Sequence, residues 1–179
     1  MVTEYRYHSA EHFAIEVELF TEDDLHDQFT EMVHDYRHHL LHSDEMDTRD
    51  ERVHWEDRAN LARDTFQTMF RGRFTVAFLE SAEPEERMVQ TLLAWARELR
   101  PSNLQQSRIS DTSAACSTAL MSLTSDTNQS RPAAWPYIRK ITVSLSAHIL
   151  SKGLVLVDLP GVYPQSYPSM LLTSLVRAT

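Results

Sequence analysis

The chain has only three glycines (Gly72, Gly153 and Gly161) and two lysines (Lys140 and Lys152) in 179 residues. A phosphate-binding loop needs a glycine-rich turn running into Gly-Lys-Ser/Thr, because backbone amides must approach the phosphates while the lysine neutralises them. Neither lysine follows a glycine or precedes a serine or threonine, so that loop is excluded, and with it an Asn/Thr-Lys-x-Asp guanine-reading element. The single cysteine, Cys116, rules out an internal disulfide framework and suits a small apolar place on a helix face. No apolar run approaches the ~18 residues of a membrane span, and the N-terminus lacks the basic-then-apolar order of a secretory signal. These absences predict an intracellular protein of the cytoplasm or nucleus without a transmembrane segment. A net charge of −9 opposes attraction to nucleic acid or anionic lipid, so no nucleic-acid partner is expected.

What is present changes period in blocks. Residues 2–8 alternate, with Tyr5 and Tyr7 against Glu4, Arg6 and His8, and residues 13–19 set Phe13, Ile15, Val17 and Leu19 against Glu16 and Glu18. Two half-buried strands joined by a short polar turn follow. Thr21-Glu22-Asp23-Asp24 is a helix N-cap with acids in the first turn, where they favour the dipole. Behind it Leu25, Phe29, Met32, Val33, Tyr36 and Leu40 make one apolar stripe. A charged loop around 43–52 separates this from a second helix with Trp55, Ala59, Ala62, Phe66, Met69 and Phe70 inward, ended by Gly72. Pro84 suits a first helical position before a third stripe of Met88, Leu92, Trp95, Ala96 and Leu99, which Pro101 stops. A fourth helix is predicted over 111–124, with Cys116, Ala119, Leu120 and Leu123 inward and Ser/Thr-rich linkers at 102–113 and 122–130. From Pro136 the period returns to two, with Ile141, Val143 and Leu145 against Lys140, Thr142 and Ser144.

His34, His38 and His42 recur every four residues, a spacing that suits zinc. On a helical wheel His34 and His38 fall opposite the apolar stripe, beside Asp27 and Glu31, so a solvated face is expected instead. No zinc-protease motif, Gly-x-Ser-x-Gly elbow or recognisable Ser/His/Asp arrangement is present. Asn128-Gln129-Ser130 matches a glycosylation sequon that should stay bare without a secretory signal.

The richest segment is Gly153-Leu154-Val155-Leu156-Val157-Asp158-Leu159-Pro160-Gly161. It reads as a strand, apolar on both faces as a central parallel strand is, that delivers a carboxylate and a glycine turn to a nucleotide phosphate. In such an Asp-x-x-Gly element the Asp holds a magnesium ion, usually through water, and the Gly N–H points at the terminal phosphate. The alternative is a Pro160-Gly161 turn after a core strand.

The stretch Ala134-Trp135-Pro136-Tyr137-Ile138-Arg139-Lys140-Ile141, continuing through Ala147-His148-Ile149-Leu150 to Asp158-Leu159-Pro160-Gly161, resembles the G domain of dynamin-superfamily large GTPases. The likeness is closest to fungal proteins related to the nuclear GTPase SLIP-GC. Val2-Thr3-Glu4-Tyr5-Arg6-Tyr7 resembles the strand after switch I. Asn60-Leu61-Ala62-Arg63-Asp64-Thr65-Phe66 and Phe70-Arg71-Gly72-Arg73-Phe74 resemble that group's helical insertion. The likeness covers 1–161 and is looser through 80–130. It implies GTP and magnesium in a completed domain, hydrolysis, and self-association as mechanical output. Only Asp158, on the magnesium side, and Gly161, on the phosphate side, carry over as nucleotide-binding residues. No catalytic residue carries over. Thr3 is a further candidate for the switch I threonine, whose counterpart in the family usually precedes this strand.

The expected fold is α/β, a partial P-loop GTPase-like sheet with a large helical insertion. Residues 1–20 form a strand pair, 21–132 the insertion, 133–161 a strand hairpin ending in Asp-x-x-Gly, and 162–179 a tail that departs from the family. A truncated gene product or gene model is expected, and the chain should not bind guanine nucleotide usefully alone. The competing expectation is a non-catalytic helical interaction module, in which Asp158 and Gly161 only end a strand.

Overall fold

A computed structural model describes residues 1–102, 104, 107–125 and 132–158. In them the segments of period two become strands and those of period 3.6 become helices, giving a mixed α/β chain. It divides into two units: the described parts of Phe20–Arg100 and Asn128–Ala133, and those of Met1–Leu19, Pro101–Thr127 and Ala134–Thr179. Among the described residues no helix is long and apolar enough to cross a membrane.

The first unit is helical. Helix α1 (Glu22–His42) begins in a capping box: the Thr21 hydroxyl accepts from the Asp24 N–H at 3.1 Å, and the Asp24 carboxylate accepts from the Thr21 N–H at 2.9 Å. Its Leu25, Phe29 and Val33 are buried, but Leu40 is exposed and Asp35 is buried in the stripe's place. That carboxylate accepts from Arg58 Nε at 2.7 Å, while the same guanidinium reaches Glu31 at 2.5 Å. Burial of an acid is tolerated only with such a partner, and the partner lies in the next helix, out of reach of local periodicity.

Helix α2 (Arg49–Met69) starts earlier than the charged composition of 43–52 implies, because the Thr48 hydroxyl caps it and Asp50 and Glu51 suit its first turn. After its last residue Gly72 adopts φ 81°, a left-handed conformation that suits glycine. A short helix α3 (Val76–Leu79), not anticipated from the sequence, precedes α4 (Glu85–Leu99). Pro84 is the N-cap of α4, one place before the position predicted for it. Helix α1 packs against both α2 and α4. Phe29 meets Phe66 and Phe70 edge-on at 5.6 and 5.8 Å, and Trp95 meets Phe70 at 5.7 Å. Each such ring contributes roughly 1.5–3 kcal/mol through burial.

The second unit is a five-stranded sheet: β1 (Val2–Tyr7), β2 (Phe13–Leu19), β3 (Arg108–Ser110), β4 (Ile138–Leu145) and β5 (Leu156–Asp158), in spatial order β3-β2-β4-β1-β5. Strand β1 runs parallel to β4, and the other pairings are antiparallel. Helix α5 (Ser113–Thr124), capped by Thr112, packs on β2 and β3 with Cys116 and Leu123 buried. Strand β3 lies where the composition suggests only a linker, because its ladder to β2 supplies what its own side chains do not. A bulge at Arg139 lets Ile138 pair with Leu19 while Lys140 pairs with Glu18, so Ile138 joins Ile141 and Val143 in the core.

Three expectations are corrected. The strands at 2–7 and 13–19 are not neighbours, because β4 lies between them. No hairpin joins β4 to β5: β1 lies between these two as well, parallel to one and antiparallel to the other. Nor is β5 buried on both faces, since Leu156 and Val157 are 50% and 45% exposed. Strand β5 is a sheet edge with one neighbour among the described residues, so its side chains have no second strand to pack beside.

Candidate functional site

Asp158 is the last residue of β5, a position dictated by the apolar run before it and the turn residues after it. It is exposed and forms no ion pair among the described residues. The register of β5 on β1 sets it opposite Thr3, with Val157 opposite Glu4 and Leu156 opposite Tyr5. Thr3 itself is buried, and on its other side it pairs with Ile141 of β4. The sheet therefore brings two of the sequence-selected residues level with one another, one closed off and one open to water. Gly161 lies outside the described residues.

A carboxylate at a strand end, free of internal cations, can accept hydrogen bonds from metal-bound water or donate its charge to a cation. Among the described residues no side chain pairs with Asp158. The nearby glutamate of β1, Glu4, is held by Arg6 at 2.7 Å. On the far side of the sheet Arg139 and Lys140 both reach Glu18, at 3.6 and 3.2 Å. Arg6, Arg139 and Lys140 are thus committed to acids of this unit other than Asp158.

The histidines do not form a metal centre: among the described residues no group of three or more His, Cys, Asp or Glu is arranged to hold a metal. His34 is exposed, as the helical wheel requires, and His42 is exposed as well. His38 departs from it, half-buried with its ring stacked on Trp55 of α2 at 3.9 Å between centroids. Between β1 and β2, His8 Nε2 lies 2.6 Å from the His12 carbonyl oxygen, a turn contact. Cys116 is buried, and burial pushes its thiol above the ordinary value, away from the reactive thiolate.

Clefts of about 420 and 430 Å³ lie on the helical unit, the first lined in part by Asp64, Thr68 and Gly72, the second by Phe78, Arg87 and Met88. Neither includes Asp158. The feature that the stripes did not disclose is the end of the α1–α2 pair, where Leu41 and Val53 lie off both stripes and stay exposed. Their off-stripe positions were the available signal. Compared with known proteins, the chain matches no family model, no curated protein and no solved structure.

Proposed function

We propose that the sheet unit contributes the Asp-x-x-Gly side of a GTP-binding and GTP-hydrolysing domain of the dynamin type, whose phosphate-binding loop comes from polypeptide outside this sequence. The observation that supports the reading is the setting of Asp158: the end of a strand that pairs antiparallel with β1 at Thr3 and has no second neighbour among the described residues. A phosphate loop must lie beside the strand that carries the Asp, so that loop and carboxylate meet at one phosphate-bound magnesium. Among the described residues no strand lies on the other side of β5, and the exposure of Leu156 and Val157 there suits a further strand.

The residues fit magnesium in one respect that matters. This ion keeps most of its waters and needs only one or two protein oxygens, so the free carboxylate of Asp158 is enough on the protein side. When bound, the ion would neutralise charge on the transferring phosphoryl group. Asp158 would orient a metal-bound water through its carboxylate, and the Gly161 N–H would face the terminal phosphate. Thr3, buried in β1, packs the sheet.

Two titrations test this. The chain alone, mixed with a fluorescent GTP analogue and magnesium, should bind more weakly than about 1 mM, because most phosphate charge is uncompensated. A chimera that adds a phosphate-loop segment before Met1 and a family-like C-terminal half should hydrolyse GTP, and Asp158→Ala should slow it roughly 100-fold or more. Micromolar binding by the chain alone, or an active chimera indifferent to Asp158→Ala, would refute the assignment.

A second reading, a helical protein-interaction module, is supported by the aromatic core that the helical unit closes with its own residues.

A further inference from the structure

We infer that the end of the helical unit where α1 runs into α2 is a docking surface for a cationic amphipathic segment of a partner protein. This deepens the interaction-module reading and rests on it, not on the nucleotide reading. The first support is the distribution of charge. Of 26 acidic and 17 basic residues, 19 and 10 fall within residues 20–100, so the whole formal charge of −9 lies there and the remainder is balanced at seven of each. Part of the acid in that stretch is neutralised locally: Glu22 by Arg97, Glu31 and Asp35 by Arg58, Glu85 by Arg37, Glu98 by Arg73. Asp44, Asp47, Asp50, Glu51, Glu56 and Asp57 differ. All six are exposed, and none forms an ion pair among the described residues.

The second support is apolar and independent of charge. At this same end Leu40, Leu41 and Val53 are 45%, 63% and 36% exposed. His38 of α1 stacks on Trp55 of α2 at 3.9 Å between centroids, two residues from Leu40 on one helix and from Val53 on the other. The end is also firmly built. Met46 is buried in the connection, Arg52 donates to its carbonyl at 3.4 Å, His42 meets Glu45 at 2.9 Å, and Thr48 caps α2. A fixed surface loses little entropy on binding.

Unpaired carboxylates alone would attract only counterions, and scattered leucines alone are ordinary. Together they match a helix with one apolar face flanked by Lys and Arg: the apolar side chains supply affinity, and the charges supply steering and selection. The same acidic field repels nucleic acid and anionic lipid, which leaves protein as the partner class.

The full chain should be titrated by fluorescence anisotropy with an ~18-residue Leu/Lys peptide of helical apolar spacing, and with an all-lysine peptide of equal charge. Saturable binding of the Leu/Lys peptide is expected, at least tenfold tighter than the all-lysine peptide and weakened by added salt. Two surface variants, Leu40→Ser with Leu41→Ser and Asp47→Lys with Asp50→Lys, should each weaken it about tenfold, whereas Leu61→Ser, exposed elsewhere on α2, should not. All these side chains are exposed, and far-UV circular dichroism of each variant matching the parent verifies the fold, since Asp50 also lies in the first turn of α2. Binding that ignores both variants overturns this surface while leaving the module reading intact, and absence of binding by the peptide overturns both. Equal binding of the all-lysine peptide reduces the effect to bulk charge and overturns the docking claim. Sedimentation that reveals a dimer abolished by Leu40→Ser with Leu41→Ser would assign the surface to a second copy instead.

Discussion

The two units solve the same problem with different completeness. The helical unit interlocks Phe29, Phe66, Phe70 and Trp95 inside its own residues and carries most of the net charge, with 19 acids against 11 basic residues. The sheet unit is close to balanced, with seven acids and six basic residues, and among the described residues it ends at β5 in an edge whose apolar residues are exposed. Helices satisfy their backbone internally and need only one buried stripe, so a few of them close a core. A sheet strand needs a neighbour on each side, and a buried one needs cover on both faces. Completeness is therefore easier to reach in the helical unit than at β5.

Substitutions should expose that contrast. Phe66→Ala, in the middle of the aromatic core and fully buried, is expected to cost about 3–5 kcal/mol in urea unfolding followed by far-UV circular dichroism. Val157→Ala, at the exposed edge, should cost less than about 0.5 kcal/mol in the same measurement. Comparable losses would mean that β5 is as well packed as the helices. Next in size, Asp35→Ala strands Arg58 beside Glu31 alone, for an expected loss of about 2 kcal/mol. If Asp35→Ala with Arg58→Met recovers nothing, the pair is not what holds α1 to α2. Gly72→Ala should cost about 1 kcal/mol through its φ of 81° alone, since a Cβ there would meet no atom within 4 Å. A neutral or stabilising result would show that the turn after α2 relaxes.

The smallest effect is a pH dependence. Hydrogen bonds from Arg97 and Arg73 hold the Glu22 and Glu98 carboxyls below their ordinary value of 4.5. A carboxyl with a lowered folded-state value binds more protons when unfolded, so its contribution is present above 4.5 and is lost as pH falls through the folded value. The thermal midpoint should decline below pH 4.5, and Glu22→Gln with Glu98→Gln should flatten part of that decline. Both groups are fully exposed, so solvent and salt keep the effect modest. An unchanged profile in the double variant would remove these pairs from the account.

The same contrast explains what could be read from the chain. Thr21 caps α1 within three residues of itself, and the stripes of α1, α2 and α4 are set by spacing alone, so these helices were legible. The Thr48 and Thr112 caps, by contrast, lay in stretches whose charge or Ser/Thr content suggests loops, and α3 is too short to show a stripe. Nor was Asp35 legible, because its partner Arg58 lies 23 residues on. In the sheet, strand identity was legible from alternation but neighbourhood was not. Strands close in sequence usually pair, yet β1 separates β4 from β5, and only long-range register decides that. For the candidate site, the strand-end position of Asp158 followed from Leu154–Val157. Its pairing with Thr3 and the unpaired edge beside it depended on β1, more than 150 residues away.

The bulge at Arg139 has a consequence for how this sheet tolerates change. Two consecutive cations, Arg139 and Lys140, reach the same Glu18, and the residue between the paired positions lets the apolar phase restart at Ile138. Deleting residue 139 would make the alternation of β4 perfectly regular on paper. Ile138 would then stand two places from Ile141, on the core face without any bulge, and the Trp135–Tyr137 turn would be drawn one residue toward the ladder. Here the irregular ladder absorbs one surplus residue, Arg139, and so returns Ile138 to the core face, from which strict pairing of the present sequence would turn it away.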